Sequence, residues 1–338
     1  MLLRVEGLRA TFFLDEGELR AVDDVSFQIE EGETVALVGE SGCGKTIVAL
    51  SILDLVPPPG RTVDGRVWFR GEDLRRAPPE RLRRVRGGEI GMVFQEPEAA
   101  LNPVYPVGKQ IAEVLRVHRG LAREEAERTA VRALGDVGIP EPERRAKSYP
   151  FELSGGMRQR VLIAIAASTD PRLLIADEPT TALDVTVQAE ILDLLADLQA
   201  RTRMAMLLIT HDLGVVADVA DRMLVMYTGK LVETGPTELL FSEPRHPYTR
   251  GLLAARPRLG VGRTEPLRGI PGSVPDLLDL PPGCTFHPRC PLADEGCEAA
   301  FPPLRTVGAA RRCACYKAGP HASEGRVDPL RATEERIP

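Results

Sequence analysis

Long apolar runs are missing from this sequence. No segment approaches the roughly 18 consecutive apolar residues that a membrane-spanning helix needs. The first residues, Met-Leu-Leu-Arg-Val-Glu-Gly, also lack the basic region followed by a hydrophobic one that marks a secretory signal. We therefore expect a soluble cytoplasmic protein with no spanning segment of its own.

Clusters of positive charge are missing as well. The sequence has 43 lysines and arginines against 49 acidic residues, a formal net charge of −6, and no dense basic tract. A nucleic-acid-binding surface needs clustered lysine and arginine to neutralise phosphates. The composition therefore disfavours DNA-handling proteins and predicts no nucleic-acid partner. No internal repeat is evident either.

The 338 residues can bury a large core and predict two or three structural units. Strand-like and helix-like patterns alternate from residue 2 to about 95, become mainly helical from about 106 to 169, and alternate again from Leu173. This order predicts an α/β fold with a helical insertion. A proline-rich tail, in which long helices are excluded, begins near Thr237.

A phosphate-binding pattern occupies residues 39–46. Residues 33–39 form an apolar, β-branched strand pattern, and an apolar helical pattern runs from the loop to Leu55. Strand, glycine-rich loop and helix start together cradle phosphates, because inward-turned N–H groups and the helix dipole attract anions. We expect Lys45 to reach the β- and γ-phosphate oxygens and the Thr46 hydroxyl to bind Mg²⁺. The predicted nucleotide contacts are Gly39, Glu40, Ser41, Gly42, Cys43, Gly44, Lys45 and Thr46.

Two carboxylates end a second strand-like run. Residues 173–178 read Leu-Leu-Ile-Ala-Asp-Glu, and acids at the end of a buried strand are costly unless a cation or a substrate uses them. Asp177 is therefore a predicted Mg²⁺ ligand. Glu178 is placed to polarise the water that attacks the γ-phosphate, and we assign it as the catalytic base.

A second glycine-opened helix start occurs at residues 153–160, Leu-Ser-Gly-Gly-Met-Arg-Gln-Arg, too far along the chain to serve the same phosphates. The two motifs together resemble those of the ATP-binding cassette (ABC) ATPases, so the resemblance implies a P-loop NTPase fold of the ABC type. It also implies that two cassettes close head to tail around two ATP molecules. Ser154, Gly155 and Gly156 would then cap the γ-phosphate of ATP held by the other subunit.

The same resemblance assigns three further residues around the γ-phosphate. Gln95, after a strand-like segment, matches the glutamine that senses Mg²⁺ and the γ-phosphate. His211 follows an apolar strand pattern and matches the switch histidine that contacts the γ-phosphate. Asp184 ends a Thr-Ala-Leu-Asp loop that matches the segment crossing the dimer interface.

Adenine needs a stacking surface, and the ABC family uses an aromatic residue in an early strand. Phe12 matches this position, with Val22 expected to pack beside the ring. Phe13 is the main rival, because side-chain alternation along a strand lets only one of the two face the base.

Three segments narrow the resemblance to the ATPase subunits of oligopeptide and dipeptide importers. They are the loop at 95–103, the segment His-Pro-Tyr-Thr-Arg-Gly-Leu-Leu at 246–253, and Ile-Pro-Gly-Ser-Val-Pro at 270–275. The resemblance implies an ABC nucleotide-binding domain at 1–236 with a helical subdomain inserted at about 96–169, an importer-type extension at 237–322 and a disordered tail at 323–338.

The importer resemblance also implies partners and a location. The chain would hydrolyse ATP to power uptake of di- or oligopeptides, with a second ABC ATPase subunit that is identical or paralogous. Two membrane permeases and an extracellular solute-binding protein would complete the assembly, and the chain would lie on the cytoplasmic face of the membrane. The alternatives are import of another solute such as nickel or oligosaccharide, a soluble ABC ATPase acting on DNA or the ribosome, and a phosphate-loop kinase.

Five of the six cysteines lie in the tail, and the sixth, Cys43, lies in the phosphate loop. In a cytosolic protein such a cluster is more typical of metal binding than of disulfides. Four thiolates, enough for zinc or a [4Fe–4S] cluster, would come from Cys284, Cys290, Cys297 and Cys315.

The spacing of these cysteines does not choose between the two metals, and free thiols stay open. His287 is a further candidate ligand, and Cys313 rivals Cys315. The importer resemblance implies an iron–sulfur cluster with a structural role. It favours Cys315 as the fourth ligand, because an aromatic residue, Tyr316, follows it.

Overall fold

The computed structural model describes residues 1–181, 183–255, 269–308 and 310–319. These ranges contain the strands β1 (Leu3–Leu14), β2 (Gly17–Ile29), β3 (Thr34–Val38), β4 (Gly60–Phe69), β5 (Glu72–Asp73), β6 (Ile90–Val93), β7 (Leu173–Asp177), β8 (Ala205–Thr210), β9 (Arg222–Tyr227), β10 (Lys230–Pro236), β11 (Arg305–Thr306) and β12 (Arg312–Cys313). The helices are α1 (Lys45–Ile52), α2 (Pro79–Gly88), α3 (Pro97–Ala100), α4 (Val107–Arg119), α5 (Arg123–Asp136), α6 (Pro142–Arg145), α7 (Gly155–Ala167), α8 (Val185–Thr202), α9 (Leu213–Val219), α10 (Thr237–Ser242), α11 (Pro247–Ala254) and α12 (Glu295–Ala299). Strands and helices alternate as expected, so the predicted α/β class is confirmed.

An antiparallel sheet of four strands begins the chain, in the order β2-β1-β4-β5. Strand β1 alternates between buried Leu3 and Val5 and exposed Arg4, as expected for a sheet with one face on the core. This face packs against α1 and joins the first core cluster.

The larger sheet has eight strands in the order β11-β12-β10-β9-β3-β8-β7-β6. From β9 to β6 the neighbouring strands are parallel, and β3, β7 and β8 are buried along their whole length. Strands covered on both faces have continuous apolar sequences, which is why these three were recognisable in the sequence. Because parallel strands end at one edge, the segments after β3, β7 and β8 come together.

The residues predicted to form a helical insertion contain α3 to α7. Ile111 of α4, Leu134 of α5 and Val161 of α7 share one apolar cluster with Leu174 of β7. The helical segment therefore packs on one face of the larger sheet rather than standing apart from it. No helix in the described ranges is long and apolar enough to cross a bilayer.

The described part of the tail packs on the same face of that sheet as the helical segment, beside β3 and β9. The rings of Tyr227 in β9 and Tyr248 in α11 have centroids 4.6 Å apart, and Phe286 meets Tyr227 edge to face at 5.3 Å. Glu233 of β10 pairs with Cys313 of β12, which adds the tail to the sheet as edge strands. The predicted disordered tail at 323–338 lies outside the described residues.

Candidate nucleotide-binding site

The phosphate loop joins the end of β3 to the start of α1, and its glycines are required by close contacts. A Cβ on Gly39 would lie 2.2 Å from the carbonyl oxygen of Met226, and one on Gly44 would lie 2.1 Å from that of Ala21. Gly44 also has a φ of 102°, which favours glycine. Gly42, by contrast, has open space beside its Cα, so the loop backbone is accessible there.

The buried side chain of Lys45 folds back over its own loop. Its Nζ donates hydrogen bonds to the carbonyl oxygens of Gly39 at 2.9 Å and Glu40 at 3.1 Å. Phosphate oxygens can replace these carbonyls as acceptors for the lysine. Cys43 is fully buried beneath the loop, and burial raises the pKa of its thiol, so this residue packs as a neutral group.

Asp177, the last residue of β7, is fully buried and faces the Thr46 hydroxyl, with which it hydrogen-bonds. Its Oδ1 has no hydrogen-bond partner. Burial raises the pKa of Asp177 to about 6, although the Thr46 hydroxyl and the Lys45 charge oppose this rise. An unpartnered carboxylate oxygen beside a hydroxyl fits the oxygen ligands that Mg²⁺ selects.

Glu178 lies one residue beyond the strand, with a left-handed φ of 46°. Its Oε2 accepts a hydrogen bond from the Thr181 hydroxyl at 2.7 Å and lies 3.2 Å from Nδ1 of His211. Burial alone would raise the pKa of Glu178, but hydrogen bonds from these two residues and the charges of His211 and Lys45 outweigh burial and lower it. The structure thus brings together Lys45, Thr46, Asp177, Glu178 and His211 at one edge of the sheet.

Gln95 is exposed in the loop that follows β6. Val93, the last residue of β6, pairs with Ala176 of β7. This loop therefore leaves the sheet at the same edge as Asp177, as the prediction for Gln95 requires.

Ser154, Gly155 and Gly156 form the exposed start of α7. The Ser154 hydroxyl caps this helix, because it accepts a hydrogen bond from the backbone N–H of Met157 at 3.4 Å. Within the described part of the chain, no hydrogen bond or ion pair connects these residues to the phosphate loop. The structure therefore does not bring the two motifs together within one chain.

Asp184 is the capping residue of α8, and its Oδ1 accepts a hydrogen bond from the Val187 N–H at 3.0 Å. Val187 also contacts α7, since a Cβ on Gly156 would lie 2.7 Å from its Cγ1. The helix starts at Ser154 and Asp184 are thus packed side by side.

The two aromatic candidates for adenine stacking differ in their surroundings. The Phe12 ring is half-buried against Gly60, where a Cβ would lie 2.6 Å from the ring. Phe13 is exposed, with the Arg61 guanidinium 4.6 Å above its ring centroid. Val22 is fully buried in the core, so its side chain has no surface free for adenine here.

All six cysteines are free thiols. Burial raises the pKa of the Cys284 thiol, and it raises the pKa of Cys290 to about 11. The charges of Cys297 and Cys315 add to both of these increases. Cys313 is fully buried opposite Glu233, on a separate strand pair.

The metal predicted at these cysteines has no support in the arrangement of their side chains. Across the described ranges, no three His, Cys, Asp or Glu side chains are placed so that they could hold a metal ion. His287 Nδ1 is already within 2.9 Å of the carbonyl oxygen of Cys284. Cys297 donates to Asp294.

Sequence reasoning missed two groups of contacts. The Thr181 hydroxyl, which bonds Glu178, belongs to a loop that was recognised only for its role at a dimer interface. Arg289 forms an ion pair with Glu40 of the phosphate loop, 249 positions away. No pattern in the sequence joins such distant residues.

Two family models match the chain. The model described as ABC transporter matches residues 22–181, and the one described as the C-terminal region of oligopeptide/dipeptide transporters matches residues 232–297. A putative peptide import ATP-binding protein of Brucella abortus is 53% identical over 327 residues, covering 94% of this chain and 97% of that protein. The dipeptide transport ATP-binding protein DppD of Escherichia coli K12 is 46% identical, covering 93% and 96%.

Solved structures support the ABC cassette assignment. A dimeric, post-hydrolysis structure of the ATP-binding cassette MJ0796 with ADP and Pi superposes with a TM-score of 0.63 at 28% identity, covering 70% of this chain and 99% of that one. The cbiO1 protein of Clostridium perfringens gives a TM-score of 0.60 at 27% identity, covering 72% and 91%. The chain belongs to the ABC transporter family, as an ATP-binding subunit of the oligopeptide/dipeptide importer type.

Proposed function

We propose that this chain is the ATP-hydrolysing subunit of an ABC importer that takes up di- or oligopeptides. The observation that carries the proposal is the pair Asp177 and Glu178, held at the edge of the sheet beside Lys45 and Thr46. The names of the relatives, which specify peptide and dipeptide transport, support the choice of solute.

In the proposed reaction each side chain has one task. Lys45 turns from the carbonyls of Gly39 and Glu40 to the β- and γ-phosphates. Thr46 and Asp177 would hold Mg²⁺, with Gln95 reaching the same ion. When bound, Mg²⁺ supplies positive charge that neutralises the phosphate oxygens.

Hydrolysis then depends on Glu178 and the residues that touch it. Its lowered pKa keeps the carboxylate ionised, so it can accept a proton from the attacking water. His211 is exposed beside Glu178, where it can contact the γ-phosphate while the Glu178 hydrogen bond orients its ring.

We propose that a second cassette completes each site. Ser154 and Gly155 are exposed and Gly156 is half-buried at a helix start, a place where N–H groups favour an anion. Among the described residues no hydrogen bond or ion pair joins them to the phosphate loop of their own chain. Head-to-tail pairing would bring them to the γ-phosphate of the partner, with Asp184 at the interface. The second cassette is either a copy of this chain or a paralogue.

The permease partners are expected to dock beside the Gln95 loop. Phe94, Val104 and Tyr105 are exposed apolar residues next to that loop and the helical segment. A short helix from a membrane permease would cover these residues, with the chain on the cytoplasmic face of the membrane. An extracellular solute-binding protein would deliver the peptide.

An iron–sulfur cluster at the tail cysteines stays a prediction, with zinc as the alternative. Its support is the importer resemblance together with the four free cysteines Cys284, Cys290, Cys297 and Cys315. Anaerobic purification followed by iron, sulfide and zinc analysis tests it. A content well below one equivalent of metal per chain would remove the prediction.

Transport itself tests the proposed function. The chain should co-purify from membranes with two permeases, and vesicles containing the assembly should accumulate a labelled dipeptide only with ATP and the binding protein. Hydrolysis without any peptide uptake, but with uptake of nickel or an oligosaccharide, would keep the ATPase assignment and overturn the solute.

A further inference from the structure

The C-terminal extension reaches into the phosphate loop through Glu40. Nη1 of Arg289 lies 2.8 Å from Oε2 of Glu40, and Nη2 lies 3.0 Å from Oε1. Two parallel bonds of this kind fix both the distance and the orientation of a carboxylate. The Arg289 side chain is 4% exposed, so water competes little for it. Arg289 and Glu40 therefore form a buried, bidentate ion pair between the extension and the loop.

Arg289 is itself held by the extension and by β9. Its Nε donates to the carbonyl oxygen of Pro271 at 2.9 Å, and Nη1 also lies 3.4 Å from the Tyr227 hydroxyl. The guanidinium consequently has few other orientations available. It approaches Glu40 as a fixed group rather than as a flexible surface side chain.

A second residue of the extension holds the backbone of the same loop position. The Tyr248 hydroxyl accepts a hydrogen bond from the N–H of Glu40 at 2.8 Å. Tyr248 is fully buried among Tyr227 and Phe286. The start of its helix, α11, is anchored by the buried Glu233 carboxylate, which accepts two backbone hydrogen bonds just before the helix.

Glu40 also connects these contacts to the phosphate-binding lysine, because its carbonyl oxygen accepts a hydrogen bond from Nζ of Lys45 at 3.1 Å. Carboxylate, N–H and carbonyl of one residue are thus held by Arg289, Tyr248 and Lys45. An unpaired carboxylate in this loop would repel the polyphosphate of a nucleotide. The Arg289 charge removes that repulsion.

We propose that Arg289 and Tyr248 are positioning residues through which the C-terminal extension holds the phosphate loop in its nucleotide-binding shape. The inference rests on the proposed function, since it concerns the affinity of that same site for ATP. Its consequence is that a disturbance of the extension changes nucleotide binding, although no residue of the extension needs to touch the nucleotide.

Affinity for a non-hydrolysable ATP analogue with Mg²⁺, measured by calorimetry on the full chain, tests the proposal. Arg289→Gln should raise the Kd about tenfold or more, because it leaves the Glu40 carboxylate unpaired. Tyr248→Phe, which keeps the ring and removes one hydroxyl, should give a smaller rise. Arg311→Gln is the matched control, because the equally buried Arg311 bonds the carbonyls of Leu239 and Glu243, away from the loop.

A double variant separates charge pairing from general damage to the extension. If Arg289 acts through Glu40, then in a Glu40→Gln background the tenfold loss caused by Arg289→Gln should shrink to about twofold or less. In the assembled ATPase, Arg289→Gln should raise the KM for ATP much more than it lowers kcat. A merely structural role would lower the thermal midpoint and give the same loss in both backgrounds.

Two results would overturn the inference. One is unchanged affinity in both Arg289→Gln and Tyr248→Phe. The other is a rise in Kd of the Glu40→Gln, Arg289→Gln double variant that equals the product of the two single fold-changes. Either result with normal binding by the unmodified chain leaves the proposed function intact. If the unmodified chain fails to bind the analogue at all, then the proposed function fails first.

Discussion

Oε2 of Glu178 lies 3.2 Å from Nδ1 of His211, and the same oxygen accepts the Thr181 hydroxyl at 2.7 Å. The preceding residue, Asp177, has an unpartnered Oδ1. Burial raises the pKa of Asp177 to about 6, whereas at Glu178 the hydrogen bonds and nearby positive charge overcome burial and lower the pKa. Two adjacent carboxyl groups therefore have different environments, which suits a metal ligand next to a base.

Replacing the proposed base should separate binding from turnover. Glu178→Gln keeps the size of the side chain but cannot accept the proton, so we expect ATP affinity to be retained and phosphate release to fall about 100-fold or more. Equilibrium binding and a phosphate-release assay measure the two effects. Glu238→Gln, on the distant helix α10, should change neither quantity. Near-normal hydrolysis by Glu178→Gln would refute the role of Glu178.

Removing the buried charge of Asp177 should stabilise the nucleotide-free protein while impairing the site. The pKa of the folded carboxyl, about 6, lies above its usual value of 3.8, so the folded state binds the proton more tightly and ionisation costs stability. At pH 7 Asp177→Asn should gain up to about 3 kcal/mol, and the gain should shrink from pH 6 towards pH 4.

Urea unfolding of both proteins across this pH range, without nucleotide, checks the stability of Asp177→Asn. The same variant should lose the Mg²⁺-dependent part of its ATP affinity at pH 7.5. If Asp177→Asn is less stable than the unmodified chain at every pH, then ionisation of Asp177 does not destabilise the folded protein.

Local patterns were enough to predict the strands and loops of the site. Residues 173–178 could be read as a buried strand ending in two acids because β7 is covered on both faces and its sequence is continuously apolar. The ion pair of Arg289 with Glu40 could not be predicted, since it depends on how the tail folds back across the sheet. The full burial of Val22 likewise follows from tertiary packing, which alternation along β2 alone does not reveal.

The Thr181 hydroxyl should influence the pH dependence of hydrolysis. Its hydrogen bond helps to lower the pKa of Glu178 against burial, so Thr181→Val should raise that pKa and move the acidic limb of the kcat profile to higher pH. The loss of rate should consequently be larger at pH 6 than at pH 8. Thr181→Ser keeps a hydroxyl and should follow the profile of the unmodified chain. An equal loss at both pH values would exclude an effect through Glu178.

Two inactive variants can test whether each ATP site is formed by two chains. A Cβ on Gly155 would lie at an ordinary 3.7 Å from Leu183, its one neighbour within 4 Å among the described residues, so Gly155→Asp should fold normally. Its charge at the helix start should repel the γ-phosphate of the partner, and we expect retained ATP binding with lost hydrolysis. Lys45→Ala should lose nucleotide binding itself. Gly156 is less suitable for this substitution than Gly155, because a Cβ on Gly156 would lie 2.7 Å from Val187 of the same chain and could disturb the fold.

Mixing the two variants distinguishes a shared site from a site within one chain. In a head-to-tail mixed dimer, one site combines both defects, while the other combines an intact phosphate loop with an intact Ser154–Gly156 segment. Random pairing puts one good site in about half of the dimers, so the mixture should recover about a quarter of the unmodified rate. Phosphate release measured over a range of mixing ratios should peak near equal amounts. If the unmodified chain alone is active and no ratio restores turnover, each chain completes its own site, and the head-to-tail arrangement is wrong.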